Sequence, residues 1–143
     1  MTNPTTEASG DQPVAPILYF GNTPEERQLG VRRLVDLFYD EMDQNPYFER
    51  IRKLHPGDLN HSRDKFYLFL SGWLGGPDLY SPQFGHPRLR MRHMPFSIGI
   101  IERDQWLACM DQAMGETGVD PALRERLKTS FFQTADWMRN SPG

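Results

Sequence analysis

Apolar residues lie three or four positions apart along several stretches of the chain, which is the spacing of one helix face. The first stretch contains Val31, Leu34, Val35, Phe38 and Met42. Thr23 and Pro24 predict the start of this helix, as N-cap and first helical residue. Glu26, three positions after the cap, is the acidic residue typical of a capping box. Asn45-Pro46 predicts its end, because proline disfavours helical geometry in the preceding residue.

Three later stretches show the same helical spacing. One lies before Gly75-Gly76-Pro77, which is expected to stop the helix, and contains Leu59, Ser62, Phe66, Phe69, Leu70 and Trp73. Another runs from about Ile98 to Met114, where Gly115 is expected to close it. The last follows Asp120-Pro121, an N-cap and first-turn pair, and presents Leu123, Leu127, Phe131, Thr134 and Met138.

The segments between these stretches are predicted to be less regular. Residues 47–54 are interpreted as a turn region and residues 78–86 as a loop. Pro87 fits the first turn of a brief helix that carries His93, and Pro95 limits its length. No segment alternates with a period of two for long enough to indicate a strand. The pattern therefore predicts an all-α domain of five or six helices.

Composition narrows the classes of function. A chain of 143 residues is most simply one domain. Its net charge of −3 at pH 7 offers no general excess of positive charge, so neither nucleic acid nor an anionic membrane is expected as a partner. Cys109 is the only cysteine, which excludes an intramolecular disulfide and a cysteine-based metal cluster.

The N-terminal segment differs from the rest of the chain in composition. Residues 1–16 are small, polar and proline-containing, and we expect a disordered extension there, with the folded domain spanning residues 17–143. They include neither a basic start nor a long apolar run, so a signal peptide is not expected, and no later stretch has the length of a membrane span. A cytoplasmic location is the expectation.

The segment GHPRLRMRHMPF, residues 85–96, carries the most specific candidate chemistry. A metal site built from His86 and His93 is weakly supported, because Pro87 places His86 outside the helix and no nearby carboxylate or cysteine completes the ligand set. His93, with Arg92 beside it, could present a neutral imidazole to an apolar cavity, as a haem requires. From the residues alone, a surface or capping role for each histidine remains open.

A family resemblance favours the haem interpretation. Three runs, FLSGWLGGPDLY at 69–80, GHPRLRMRHMPF at 85–96 and ERDQWLACM at 102–110, resemble those of group II truncated haemoglobins in order and spacing. These are short globins with a two-over-two helical sandwich, and the similarity covers roughly residues 27–114. The resemblance implies a b-type haem (iron protoporphyrin IX) with His93 as the proximal iron ligand.

The resemblance also implies roles for residues elsewhere in the chain. The residues that stabilise a bound ligand on the distal side would be Tyr39, Trp106 and His55. Ser62 and Phe66 would face the iron from the next helix. The residues that contact the haem would be Lys65 and Arg92 at the propionates, with Phe69, Trp73, Leu89, Phe96 and Met110 as walls. Taken singly, Tyr39 and Trp106 could equally be ordinary core aromatics.

The expected function is binding of dioxygen and other diatomic ligands such as NO and CO. Two or three hydrogen-bond donors near the ligand would slow its release, which favours a tight or reactive oxygen site over a transport protein. Redox chemistry with oxygen, NO or peroxide is expected. Because no flavin or nicotinamide domain is expected, it would need an external reductase. Alternatives are a peroxidase-like enzyme, a ligand sensor and, without haem, a small helical interaction protein.

Overall fold

A computed structural model describes residues 14–142 of the chain. Residues 1–13, on which most of the predicted extension falls, and Gly143 lie outside the described residues. The described part contains no strand, which confirms the all-α prediction. Its α-helices are α1 (Pro24–Gln44), α2 (Glu49–Lys53), α3 (Asn60–Trp73), α4 (Ser81–Phe84), α5 (Leu89–His93), α6 (Ile100–Thr117) and α7 (Pro121–Trp137), and Pro16–Phe20 and Pro46–Phe48 form 3₁₀-helices.

Helix α1 begins and ends as its local sequence predicts. The hydroxyl oxygen of Thr23 accepts a hydrogen bond from the backbone N–H of Glu26 at 3.1 Å. The Glu26 carboxylate accepts from the N–H of Asn22 at 2.8 Å, one residue before the cap. At the other end, Asn45 leaves helical geometry and its N–H donates to the carbonyl of Glu41. Both ends are therefore satisfied by residues that are close in sequence.

Two helix pairs form the body of the domain. Helix α1 packs against α3, and α6 packs against α7, while α1 and α6 make the most extensive contact between the pairs. The apolar stripe of α1 lies in the resulting core, as its spacing predicts. Buried residues of this core include Val31, Leu34, Val35, Phe38, Met42, Leu70, Cys109, Met110, Ala113, Met114, Leu123 and Leu127.

Three predicted segments differ from the structure. Residues 81–84 of the predicted loop 78–86 form helix α4. Residues 47–54 are mostly helical, since a 3₁₀ turn passes directly into α2 and buries Phe48 and Ile51 against the core. Gly115 lies inside α6, and the helix ends at Thr117, just before Gly118, which has φ +81°. There the N–H of Val119 donates to the carbonyl of Met114 at 3.1 Å, the bond that closes a Schellman turn.

The segment that carries His93 is shorter than predicted. Helix α5 starts at Leu89, so Pro87 precedes it. Arg88 between them has φ +47° and is the only described non-glycine residue with positive φ. None of the residues of α5 is buried. Among residues 14–142, no helix is long and apolar enough to cross a membrane.

Candidate functional site

A cavity of about 400 Å³ lies between the two helix pairs. Helices α1, α3, α5, α6 and α7 all contribute to its walls, and most of its lining is apolar. The predicted site residues that line it are Tyr39, His55, Ser62, Lys65, Phe66, Phe69, Trp73, Leu89, Arg92, His93, Phe96 and Trp106. Met110 does not line it. One turn of helix beyond Trp106, its side chain is buried among core residues, so it is not a wall of the cavity.

His93 ends helix α5 and is half-buried at the cavity wall. Its Nδ1 lies 2.6 Å from the carbonyl oxygen of Leu89, one helical turn earlier. Because a carbonyl can only accept, Nδ1 carries the proton and donates it to this bond. The lone pair of Nε2 is then free. A neutral imidazole whose other nitrogen is held in this way is the usual form of a metal-ligating histidine.

Tyr39 and Trp106 bring hydrogen-bond donors to the same cavity from α1 and α6. Their hydroxyl and indole N–H make no hydrogen bond with any residue in the described part of the chain, and both side chains line the cavity. Tyr39 is almost fully buried, and this burial raises its pKa far above the ordinary value. The hydroxyl therefore keeps its proton and remains a donor.

His55 follows α2 and meets Tyr39 edge to face, with ring centroids 5.7 Å apart. Its Nδ1 lies 2.8 Å from the carbonyl oxygen of Ile51, so this nitrogen carries the proton. Burial lowers the pKa of His55, and the positive charge of Arg52 acts in the same direction. A neutral ring with Nδ1 protonated leaves Nε2 unprotonated. Of the two roles expected for His55, donor or acceptor, the geometry therefore favours acceptor.

Helix α3 supplies both residues that were predicted to face the iron. Ser62 and Phe66 line the cavity one turn apart. The ring of Phe66 packs against Tyr39, with centroids 6.1 Å apart, and against Trp106, with centroids 6.3 Å apart. Phe66 therefore lies between the two donors and restricts the space available for a ligand beside them.

Two cations lie at the edge of the cavity. The Nζ atom of Lys65 is 4.9 Å from the ring centroid of Phe84, and the guanidinium of Arg92 donates to the Phe84 carbonyl at 3.2 Å. Neither cation lies within 4.0 Å of a carboxylate from residues 14–142. Both are available to an acidic group that enters from outside the protein.

Helix α7 forms a wall that the sequence did not reveal. Phe131 stacks face to face on Trp73, with centroids 4.5 Å apart and planes at 13°. Further wall residues missed by sequence reasoning are Tyr80, Ile98, Thr134, Ala135 and Met138. The helical spacing of Phe131, Thr134 and Met138 was visible, but spacing shows only that residues share a face and not whether that face meets core or cavity.

This donor set fits haem. It combines one imidazole whose Nδ1 is bound to a backbone carbonyl, flat apolar walls and two cations without a carboxylate partner at one edge, which suit an iron, a porphyrin face and its propionates respectively. No group of three His, Cys, Asp or Glu that could hold a metal ion occurs in the described residues. The arrangement therefore favours a metal carried by a cofactor over one held by protein ligands alone.

Comparison with known proteins gives consistent matches. Residues 26–140 match the family model of bacterial-like globins. The chain is 40% identical over 108 residues to a group 2 truncated haemoglobin of Bacillus subtilis, YjbI, covering 76% of this chain and 80% of that protein. Among solved structures, a cold-adapted truncated haemoglobin from Pseudoalteromonas haloplanktis TAC125 is similar, with TM-score 0.77 and 45% identity, covering 80% of this chain and 92% of that chain. A truncated oxygen-avid haemoglobin from Bacillus subtilis has TM-score 0.76 and 37% identity, covering 88% and 99% of the two chains.

Proposed function

Because this chain belongs to the bacterial-like globins, as a group II truncated haemoglobin with the two-over-two fold, we propose that it binds dioxygen and other diatomic ligands, including NO and CO, at a b-type haem held by His93. The family supports haem-based ligand binding. The observation that carries the finer proposal is the free Nε2 of His93 in a cavity that also contains the unpaired donors of Tyr39 and Trp106.

Different residues would hold different parts of the haem. His93 would ligate the iron through Nε2, with the Leu89 carbonyl keeping its tautomer and ring orientation. Lys65 and Arg92 would bind the propionates. The walls that would pack on the porphyrin are Phe69, Trp73, Leu89, Phe96 and Phe131. When bound, haem supplies an iron atom that takes small ligands and changes oxidation state.

Two polar side chains would slow the release of a bound ligand. Tyr39 and Trp106 donate hydrogen bonds to it, each worth about 1–2 kcal/mol in a dry pocket. His55, whose Nδ1 is bound to the Ile51 carbonyl, has only Nε2 left, as an acceptor, so it would not donate to the ligand. This combination favours slow release, and the Bacillus subtilis relative described as oxygen-avid supports the same direction.

Redox use of the bound ligand is the second part of the proposal. Slow release would give bound oxygen time to oxidise NO to nitrate, a reaction that leaves the iron ferric, so an external reductase would be needed to return it to the ferrous state. A peroxidase-like activity is the second candidate, favoured by the donors of Tyr39 and Trp106, which could assist cleavage of an O–O bond. Both uses, like the cytoplasmic location, remain predictions.

A visible spectrum tests the proposal directly. The wild-type protein, reconstituted with haem, is expected to show the spectrum of a histidine-ligated b-type haem and to change it when oxygen or CO is added. His93→Ala should lose this spectrum or show a weaker, different ligation. His86→Ala is the matched control, since His86 is exposed and its Nδ1 accepts from the N–H of Arg88. A colourless wild-type protein, or an unchanged spectrum in His93→Ala, would falsify the proposal.

A further inference from the structure

Helix α5, which carries His93, packs only partly against the rest of the domain. Helix α5 has five residues, none of them buried, and it is bounded by Pro87 and Pro95. A helix this short is marginal without tertiary contacts. Bonds to other parts of the chain therefore help to fix its position.

Asn140, just after α7, makes these bonds with its side chain. Its Nδ2 donates to the carbonyl of Phe96 at 2.7 Å and to the carbonyl of His93 itself at 3.3 Å. Its Oδ1 accepts from the N–H of Ile98 at 2.9 Å. The backbone N–H of Asn140 also donates to the Ile98 carbonyl at 2.8 Å. One side chain thus satisfies three backbone groups between His93 and Ile98.

Arg90, within α5, makes a second connection to the end of α7. Its guanidinium donates to the carbonyls of Trp137 and Arg139, the latter at 3.2 Å, and lies 6.0 Å from the Trp137 ring centroid. Carbonyls at a helix C-terminus lack partners within the helix, so a cation there stabilises the end of α7. The two connections therefore tie the chain to the end of α7 both before and after His93 in the sequence.

We propose that Asn140 is a positioning residue for the iron ligand: by fixing the backbone from His93 to Ile98, it holds the imidazole at the cavity wall. The bond to the Leu89 carbonyl sets the rotation of the imidazole ring. The bonds from Asn140 set the position of the His93 backbone that carries the ring. This inference rests on the proposed function, since it concerns the strength and direction of the bond from His93 to iron.

Asn140→Asp is the sharpest test, because it keeps the acceptor for Ile98 and replaces the donor with an oxygen that faces two carbonyls. In the haem-loaded protein we expect about tenfold faster transfer of haem to apomyoglobin, in line with the 10–100-fold effect of partners that orient a metal ligand. The iron–histidine stretching band of the deoxy ferrous protein should shift or broaden. Asn60→Asp, an exposed asparagine at the start of α3, is the matched control and should change neither.

A second variant separates positioning from general stability. Asp120→Ala removes the N-cap of α7, whose carboxylate accepts from the N–H of Leu123, and leaves the bonds to α5 intact. The proposal is overturned if Asn140→Asp leaves the stretching band and the haem transfer rate unchanged, or if Asp120→Ala alters both as much. Failure of the proposed function would be seen earlier and separately, as a wild-type protein that binds no haem.

Discussion

The rings of Trp73 and Phe131 stack almost parallel, with centroids 4.5 Å apart, and join α3 to α7 at the cavity wall. Trp73 is the last residue of α3 and is half-buried, whereas Phe131 is buried near the middle of α7. Both line the cavity, so the stack links the stability of the fold to the shape of the site.

Replacing Phe131 with leucine should weaken this link. Phe131→Leu removes the aromatic stack but keeps most of the apolar volume, so we expect the free energy of unfolding to fall by about 1–2 kcal/mol. Denaturant unfolding of the haem-loaded protein measures the change. Phe132→Leu on the same helix is the control. Phe132 is 43% exposed and has the Arg103 guanidinium 5.0 Å from its ring centroid, so the loss should be smaller than for Phe131→Leu, at most about 1 kcal/mol. Equal losses in the two variants would contradict the role given to the stack.

Local sequence predicted the features of the fold that depend on neighbours in the chain. Thr23 and Asp120 each accept from the N–H three residues later, and both were recognised from the residue type and the proline that follows. The end of α6 was not predicted, because two glycines compete. Gly115 stays helical where the Arg124 guanidinium lies 3.0 Å from the position of an added Cβ, a tertiary contact that no local pattern reveals.

The candidate site also combines features that were predicted with features that were not. The resemblance brought together residues of α1, α3, α5 and α6 that all line one cavity, although helical spacing alone could not distinguish Tyr39 or Trp106 from core. It misplaced Met110, since residues one turn apart on a helix can face a cavity and a core respectively. It missed Asn140, because side-chain bonds to a distant backbone leave no periodic signal.

The single cysteine should be chemically inert in the folded protein. Cys109 is fully buried, its thiol donates to the Phe38 carbonyl at 3.2 Å, and burial raises its pKa to about 12. Thiol reagents attack the thiolate, which is scarce at about pH 8 when the pKa is this high. We expect no labelling by a disulfide reagent in native protein over the time in which denatured protein reacts fully. Rapid labelling of the native form would contradict the described burial.

Stability should depend on pH through His55. Its pKa in the folded protein is lowered, chiefly by burial, so below about pH 6.5 the unfolded chain binds a proton that the folded protein excludes. The stability due to neutral His55 is complete above that pH and is lost as the pH falls toward the folded value, by at most about 1.4 kcal/mol per pH unit. Denaturant unfolding at about pH 7.5 and about pH 5.5 measures it.

The variant comparison isolates this histidine from the other titrating groups. His55→Gln should lose less stability than wild type on acidification, since glutamine binds no proton in either state. His61→Gln changes an exposed histidine and should follow the wild-type curve. If His55→Gln and wild type lose stability in parallel, His55 does not exclude the proton and its assignment as a neutral acceptor fails.

Ligand release is the most direct measure of the distal donors. Tyr39→Phe removes the hydroxyl that faces the cavity and keeps the ring that packs on Phe38 at 5.1 Å and Phe66 at 6.1 Å. Loss of a bond worth about 1–2 kcal/mol corresponds to oxygen dissociation about 5–30 times faster. Trp106→Phe removes the indole N–H and should act in the same direction. Stopped-flow displacement of oxygen by CO measures both rates.

The control for this experiment is Tyr67→Phe. Tyr67 lies on α3 outside the cavity, and its hydroxyl donates to Gln28 at 2.9 Å, so its removal should leave the off-rate unchanged. The double variant Tyr39→Phe with Trp106→Phe distinguishes independent donors, whose effects multiply, from donors that share one acceptor atom, whose effects do not. Unchanged rates in both single variants would defeat the hydrogen-bond argument while leaving haem binding by His93 intact, because ligation and ligand stabilisation depend on different residues.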